Sequence, residues 1–304
     1  MSRIYDALQR ADIERKTAQG INTTRLAESS HFPGAEAVPS IKAEVNPENI
    51  ALYSWKPSMS FFPTLGDRGE SIEQFRSLRT QLYQFRDQAQ LKTILVSSGA
   101  PAEGKTFVTA NLAISLARNK SNKVLLIDAD LRKPSIHAIL GAPDLPGLTE
   151  YLAGTAEPIE IMQRSQYPSD AETVQERSLS NLTFIPAGAG GDNSSELVAN
   201  HRIEELIAVL APHFDWILID SPPILAVADA IDLARAADAV LLVARGAVTP
   251  YDVAQRAQAA FSNSRILGFV LNAVKDVVPN AAYSYYYGKQ EANSGKSGRK
   301  DRRR

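Results

Sequence analysis

The stretch Gly99-Ala100-Pro101-Ala102-Glu103-Gly104-Lys105-Thr106 limits what this chain can fold into more than any other segment. Ahead of it, Lys92-Thr93-Ile94-Leu95-Val96-Ser97 reads as a buried strand. Behind it, Phe107 to Asn119 carries a helical pattern through Leu112, Ile114 and Leu116. A strand, a G-x-x-x-x-G-K-[ST] loop and a helix in that order make a phosphate cradle. Small residues let backbone N–H groups close around the anion, and the helix N-terminus adds the positive end of its dipole. Lys105 is then placed to neutralise β- and γ-phosphates, and the Thr106 hydroxyl to hold Mg²⁺. An ordinary glycine turn needs no such context on both sides. Residues Gly99 to Phe107 are therefore the expected nucleotide-binding positions, and the expected ligand is a nucleoside triphosphate.

A chain of 304 residues is long enough to bury a full α/β core. Its formal net charge of −1 sets up no global field for nucleic acid or a membrane surface, so no nucleic-acid partner is expected. With no cysteine, disulfides, thiolate metal sites and thiol nucleophiles are excluded, which suits a reducing cytoplasm. His31, His137, His201 and His213 show no ligand spacing. No apolar run approaches the roughly 18 residues of a membrane span, and the N-terminus lacks a signal-peptide pattern. The expectation is a protein soluble on its own.

Residues 1–16 form an amphipathic helix pattern, with Ile4, Ala7, Leu8 and Ala11 on one face. From 17 to 69, prolines and polar residues without a sustained period read as a linker or partly disordered arm. A helix then begins at Ser71 and Gln74, which have capping-box spacing, with Ile72, Phe75, Leu78, Leu82 and Phe85 as its core stripe. Strand-like runs follow at 92–97, 123–128, 182–186, 216–220, 239–244 and 266–272. Helical patterns lie at 195–210, 228–236 and 250–261, and 163–180 reads as a surface loop. Near-continuous apolar strands separated by helices predict an α/β, three-layer domain over 70–276 with a mainly parallel sheet covered on both faces. A tail with tyrosines and basic residues occupies 277–304.

Two further segments end strands in acids, and a parallel sheet collects its strand C-termini on one edge. In Ile127-Asp128-Ala129-Asp130-Leu131-Arg132-Lys133-Pro134 the acids are two apart. Their side chains point the same way in extended backbone and repel unless a cation sits between them. In Trp216-Ile217-Leu218-Ile219-Asp220-Ser221-Pro222-Pro223, Asp220 is placed to hold a Mg²⁺ water. The competing role for a strand-terminal Asp is to cap the next helix.

Together, Ser97-Ser98-x-x-Pro101-x-Glu103-Gly104-Lys105-Thr106, Ile127-Asp128-x-Asp130-x-Arg132-Lys133-Pro134 and Ile219-Asp220-Ser221-Pro222-Pro223 resemble the Walker A, A′ and B set of the bacterial tyrosine kinases of capsule and exopolysaccharide systems. These are P-loop ATPases related to the MinD/ParA group. Pro146-Gly147-Leu148-Thr149-Glu150-Tyr151-Leu152-Ala153-Gly154, Ile185-Pro186-Ala187-Gly188 and Gly268-Phe269-Val270-Leu271-Asn272 extend the resemblance over roughly 70–290. Two departures stand out: Ala102 where the family usually has glycine, and Gly190-Gly191-Asp192-Asn193 in place of a proline-rich step. The resemblance implies ATP and Mg²⁺ at Lys105, Thr106, Asp128 and Asp220, with Asp130 taking the proton of a tyrosine hydroxyl. It further implies Arg132 as a partner for phosphates or an acidic neighbour, and Asn272 as an adenine contact.

Taken alone, the exposed cluster Tyr283, Tyr285, Tyr286 and Tyr287 suits a docking or membrane-interface patch; the resemblance implies that these tyrosines are autophosphorylation sites. Tyr283 lies eleven residues beyond Asn272, so extended chain reaches about 40 Å from the strand end, far enough for its own or a neighbour's site. Glu73-x-x-Arg76-x-x-Arg79 resembles the family's ring-assembly motif, where the plain alternative is a surface i,i+3 ion pair. Lys296, Arg299, Lys300 and Arg302 to Arg304 read as a solvated tail, with anionic lipid as the sharper alternative. The implied partners are further copies of this chain in a ring, a membrane activator resembling a chain-length determinant and a cognate tyrosine phosphatase. The implied location is the cytoplasmic side of the inner membrane, reached through that activator. Two other readings stand beside the kinase. One is a MinD/ParA-like switch ATPase, whose in-trans lysine is missing at Gly99 and Ala100; the other is a nucleotide-sensing scaffold without kinase activity.

Overall fold

The computed structural model describes residues 45–66, 69–167, 173–190 and 194–274. The helix expected at 1–16, most of the arm and the tyrosine tail lie outside the described residues. In chain order the elements are β1 (Ala51–Tyr53), α1 (Glu70–Gln88), β2 (Thr93–Ser98), α2 (Lys105–Ala117), β3 (Val124–Asp128), α3 (Ile136–Leu140) and α4 (Leu148–Leu152). There follow β4 (Gln163–Ser165), α5 (Val174–Ser180), β5 (Leu182–Ile185), α6 (Ser194–Val198), α7 (Arg202–Leu210), β6 (Trp216–Asp220), α8 (Asp229–Arg235), β7 (Ala239–Arg245), α9 (Tyr251–Ala260) and β8 (Ile266–Asn272). The strands form one sheet in the order β1-β4-β5-β3-β6-β2-β7-β8. Its pairs are parallel except β4 with β5.

Strand alternation builds the layers. Leu95, Leu125, Ile127, Ile217, Ile219, Val240 and Leu242 point into one core beneath α4, α7, α8 and α9. Ile94, Val96, Val124, Leu126, Leu218, Leu241 and Val243, one residue out of step, point into the other beneath α1, α2, α3 and α5. A period of two with both faces apolar is the signature of a sheet buried on both sides. Helix α2 is buried from Val108 to Ala117, because small and apolar residues around it let it sit between the sheet and α1.

The described parts of the chain depart from the sequence expectation in four places. The arm is packed from Val45 onward: β1 pairs with β4, Trp55 is 2% exposed and Phe62 fully buried. The Trp55 indole N–H donates to Gln163 Oε1 at 3.2 Å, and its ring meets Phe184 edge-on. The Thr64 hydroxyl donates to Asn111 Oδ1 at 2.7 Å, and Arg118 donates to the carbonyls of Thr64 and Gly66. Isolated bulky residues between prolines have no period to read, so only tertiary contact reveals them. The expected surface loop 163–180 contains β4 and α5, whose Gln163, Ser165, Ser178, Leu179 and Ser180 are buried. The Ser71 capping box does not form; α1 starts at Glu70 behind Gly69, and Gln74 donates to Glu70. The helix expected at 195–210 breaks at His201, which has φ +63°. Of the expected α1 stripe, Ile72, Phe75 and Leu82 are buried, and Leu78 and Phe85 pack against the same core. Among the described residues no helix is long and apolar enough to cross a membrane.

If residues 45–66 are part of the folded body, Trp55→Ala should lower its unfolding free energy by about 3–5 kcal/mol, as for other fully buried aromatics. Urea titration followed by circular dichroism checks this; a loss within experimental scatter contradicts it.

Candidate active site

The loop between β2 and α2 is shaped by two left-handed residues, Ala102 at φ +62° and Gly104 at φ +92°. A Cβ on Gly104 would stand 1.9 Å from Asn272 Nδ2, so only glycine fits there. A Cβ on Gly99 would lie 2.9 Å from Val253 on α9. Ala100 N–H donates to Glu103 Oε2 at 2.7 Å, while Pro101 and Ala102 are exposed at the tip. The Phe107 ring packs against Phe61 and Phe75. Its side chain is therefore part of the core, and only its backbone faces the start of α2, where N–H groups lack helical partners.

Strand parity places the acids. Asp128 and Asp220 are opposite each other in the β3–β6 register, and their side chains fall on the α2–α3 side of the sheet. Thr106 donates to Asp220 Oδ2 at 2.6 Å, and Thr109, one turn further along the same face, donates to Oδ1 at 3.2 Å. Lys105 Nζ pairs with Asp130 Oδ2 at 2.8 Å, both side chains being largely buried. Burial alone would lower the Lys105 pKa, but attraction to Asp220, Asp130 and Asp128 and the Asp130 hydrogen bond raise it above the usual value. Burial pushes Asp220 up to about 7 against the pull of Lys105. It pushes Asp128 up to about 6 against hydrogen bonds from Ile136 and Ser135. One ammonium facing three buried carboxylates leaves the site short of positive charge, and the oxygens of Thr106 and Asp220 suit a hard cation. Among the described residues no group of three or more His, Asp or Glu could hold a metal alone.

Several of the expected site residues have partners within the protein. Asp128 accepts backbone N–H bonds from Asp130, Ser135 and Ile136 at 3.3, 3.1 and 3.0 Å. It caps the start of α3, while Asp130, beyond the strand, turns to Lys105. Arg132 reaches Asp229 on α8 at 3.2 Å. Asn272 donates to the Glu103 carbonyl at 3.0 Å, so its amide holds the back of the loop. On α1, Glu73 pairs with Arg76 at 2.9 Å, whereas Arg79 donates to the Ser115 carbonyl of α2. Only the first two motif residues remain at the surface as a pair. Tyr283, Tyr285, Tyr286 and Tyr287 lie outside the described residues. Thr109, Arg245 and Thr249 were not expected at the site. Thr109 had a signal, its spacing of three from Thr106 on one helix, but Arg245 and Thr249 had none.

Two outcomes follow from this geometry. Ala102→Gly should stabilise the ligand-free protein by up to about 1 kcal/mol by removing a left-handed alanine, read as a rise in denaturation midpoint. Because folding raises the Asp220 and Asp128 pKa values above 3.8, the folded state holds protons that the unfolded chain has released. Its stability therefore falls as pH rises from about 4 through about 7. Asp220→Asn should blunt that fall, leaving the variant about 1 kcal/mol more stable than the parent above pH 7 while magnesium-nucleotide binding is lost. Melting curves at pH 5 and 8, with and without MgADP, check both parts.

Comparison with known proteins agrees with this arrangement. The sequence model of the ParA family, described as a NUBPL iron-transfer P-loop NTPase, matches residues 90–299. The tyrosine-protein kinase wzc of Salmonella typhimurium is 35% identical over 227 residues, 74% of this chain but only 30% of that protein. The tyrosine-protein kinase YwqD of Bacillus subtilis is 34% identical over 216 residues, covering 70% of this chain and 85% of YwqD. The kinase domain of Escherichia coli tyrosine kinase ETK superposes with a TM-score of 0.59 at 30% identity, over 67% of this chain and 76% of that domain. With its phosphate loop, its acid-ended strands and these relatives, the chain belongs to the bacterial tyrosine kinases, a branch of the ParA-type P-loop NTPases.

Proposed function

We propose that this chain is an ATP-dependent protein-tyrosine kinase of capsule or exopolysaccharide assembly, and that it phosphorylates the tyrosine cluster of its own tail between subunits. The observation that carries the reading is the meeting of Lys105 with Asp130 and of Thr106 with Asp220 at the ends of neighbouring parallel strands, in a chain of this family. Phosphoryl transfer asks a protein mainly for positioning and charge neutralisation. Lys105 leaves Asp130 for the β- and γ-phosphates when ATP enters, which frees the Asp130 carboxylate. Thr106 and Asp220 would hold Mg²⁺, which would supply charge neutralisation to the phosphates. Asp128 keeps the Asp130 loop in place through its backbone hydrogen bonds. The tyrosine oxygen then bonds to the γ-phosphorus, the bond from that phosphorus to the ADP oxygen breaks, and the phenolic proton passes to Asp130.

Chain length supports the tail as substrate, since Tyr283 is close enough in sequence to Asn272 to reach this edge or a neighbour's. Each phosphate adds nearly two negative charges, so a modified tail is repelled by the acids of the site. A ring-like homo-oligomer follows from the resemblance of Glu73-x-x-Arg76-x-x-Arg79 to the family's assembly motif. A membrane activator resembling a chain-length determinant, a cognate phosphatase and a place beneath the inner membrane follow from the family resemblance. The switch-ATPase reading has less support, because Val253 closes on Gly99 and leaves no room for a lysine there.

Lys105→Met should abolish phosphotyrosine after incubation with MgATP, a rate loss of about a hundredfold or more. Asp130→Asn should keep MgADP binding and slow transfer by about 10²–10⁴-fold. Mixing Lys105→Met, whose tail is intact, with an active variant carrying phenylalanine at all four tail tyrosines should restore phosphate on the Lys105→Met tail. Mass spectrometry reads the phosphotyrosine in all three, and calorimetric titration reads the MgADP binding. Phosphotyrosine on the Lys105→Met protein alone sinks the assignment.

A further inference from the structure

A phosphate cradle works best with glycine where the chain must turn left-handed. This one carries Ala102 at φ +62° instead, a conformation that an alanine keeps only where its surroundings over-determine it. Beside it stands an acid in an anion-binding loop, a choice that phosphates oppose unless the carboxylate is turned away from them. The Glu103 side chain is turned away. The residue is 5% exposed; its Oε2 accepts the Ala100 N–H at 2.7 Å, and its Oε1 accepts the Thr249 hydroxyl. Thr249 Oγ1 in turn accepts the Arg245 N–H at 2.8 Å. The same wall holds the main chain: Arg245 Nη1 donates to the Ala102 carbonyl at 3.4 Å, and Asn272 to the Glu103 carbonyl at 3.0 Å.

We propose that Glu103 is the positioning residue of this phosphate loop: its carboxylate ties the loop to the turn between β7 and α9, and so holds Ala102 in the left-handed shape the cradle needs. Glycine in this position would need no such tie. Glu103 does not touch the nucleotide; it acts through Ala100 and Ala102. The inference rests on the nucleotide-binding reading above but on neither the kinase activity nor the tail.

The test is calorimetric titration of the full chain with MgADP, with melting curves alongside. Glu103→Ala should weaken binding about tenfold, the effect of losing one well-placed hydrogen-bond anchor. Glu103→Gln should stay within about threefold of the parent, because its amide oxygen still accepts the Ala100 N–H and its NH₂ still meets Thr249 Oγ1. The double variant Ala102→Gly with Glu103→Ala should recover at least about threefold over Glu103→Ala, because glycine takes the left-handed shape unaided. Should Glu103→Ala not fold, Thr249→Val, with and without Ala102→Gly, makes the same comparison. Parental affinity in Glu103→Ala, or a double variant no tighter than Glu103→Ala, overturns the inference alone. A parent chain that binds no MgADP overturns the nucleotide reading as well.

Discussion

One ammonium set among three buried carboxylates governs the chemistry of this molecule. Asp128 and Asp220 face each other across neighbouring strands, and Asp130 is held by Lys105. Burial, with a smaller push from the neighbouring acids, raises the pKa values of Asp220 and Asp128. The arrangement therefore leaves the site short of positive charge, a deficit that a hard divalent cation suits. The same parity that aims the acids at α2 aims Ile94, Val96, Val124, Leu126 and Leu218 into the core beneath it. Site and core are two readings of one alternation.

The phosphate loop depends on what stands behind it. Its own residues leave it one left-handed glycine and one left-handed alanine. Its shape comes from Asn272 at the end of β8, from Arg245 and Thr249 after β7, and from Val253 on α9 closing on Gly99. All of these are far away in sequence. The end of β8 is also where the chain leaves toward the tyrosine tail, so the loop and the tail's point of departure share a wall.

The segment before α1 braces the other side. Thr64 and the Phe61 carbonyl bind Asn111 in the middle of α2. Arg118, just past that helix, grips the carbonyls of Thr64 and Gly66. Helix α2 begins with Lys105 and Thr106, so contacts that fix its axis also fix where those two side chains start.

The fold class, the six central and right-hand strands and the meeting of Lys105, Thr106, Asp130 and Asp220 at one sheet edge were legible from the amino acids alone. Each rests on local rules: apolar runs long enough to be buried strands, a glycine loop between strand and helix, and acids where strands end. The packing of Trp55 and Phe62, strand β4, the capping role of Asp128 and the commitment of Asn272 to the loop were decided only in three dimensions. Each is a choice among partners distant in sequence, and neither periodicity nor motif spacing carries that information. An aspartate at a strand end reads the same whether it meets a metal or the start of a helix. Only the placement of α3 against β3 brings the helix start to Asp128.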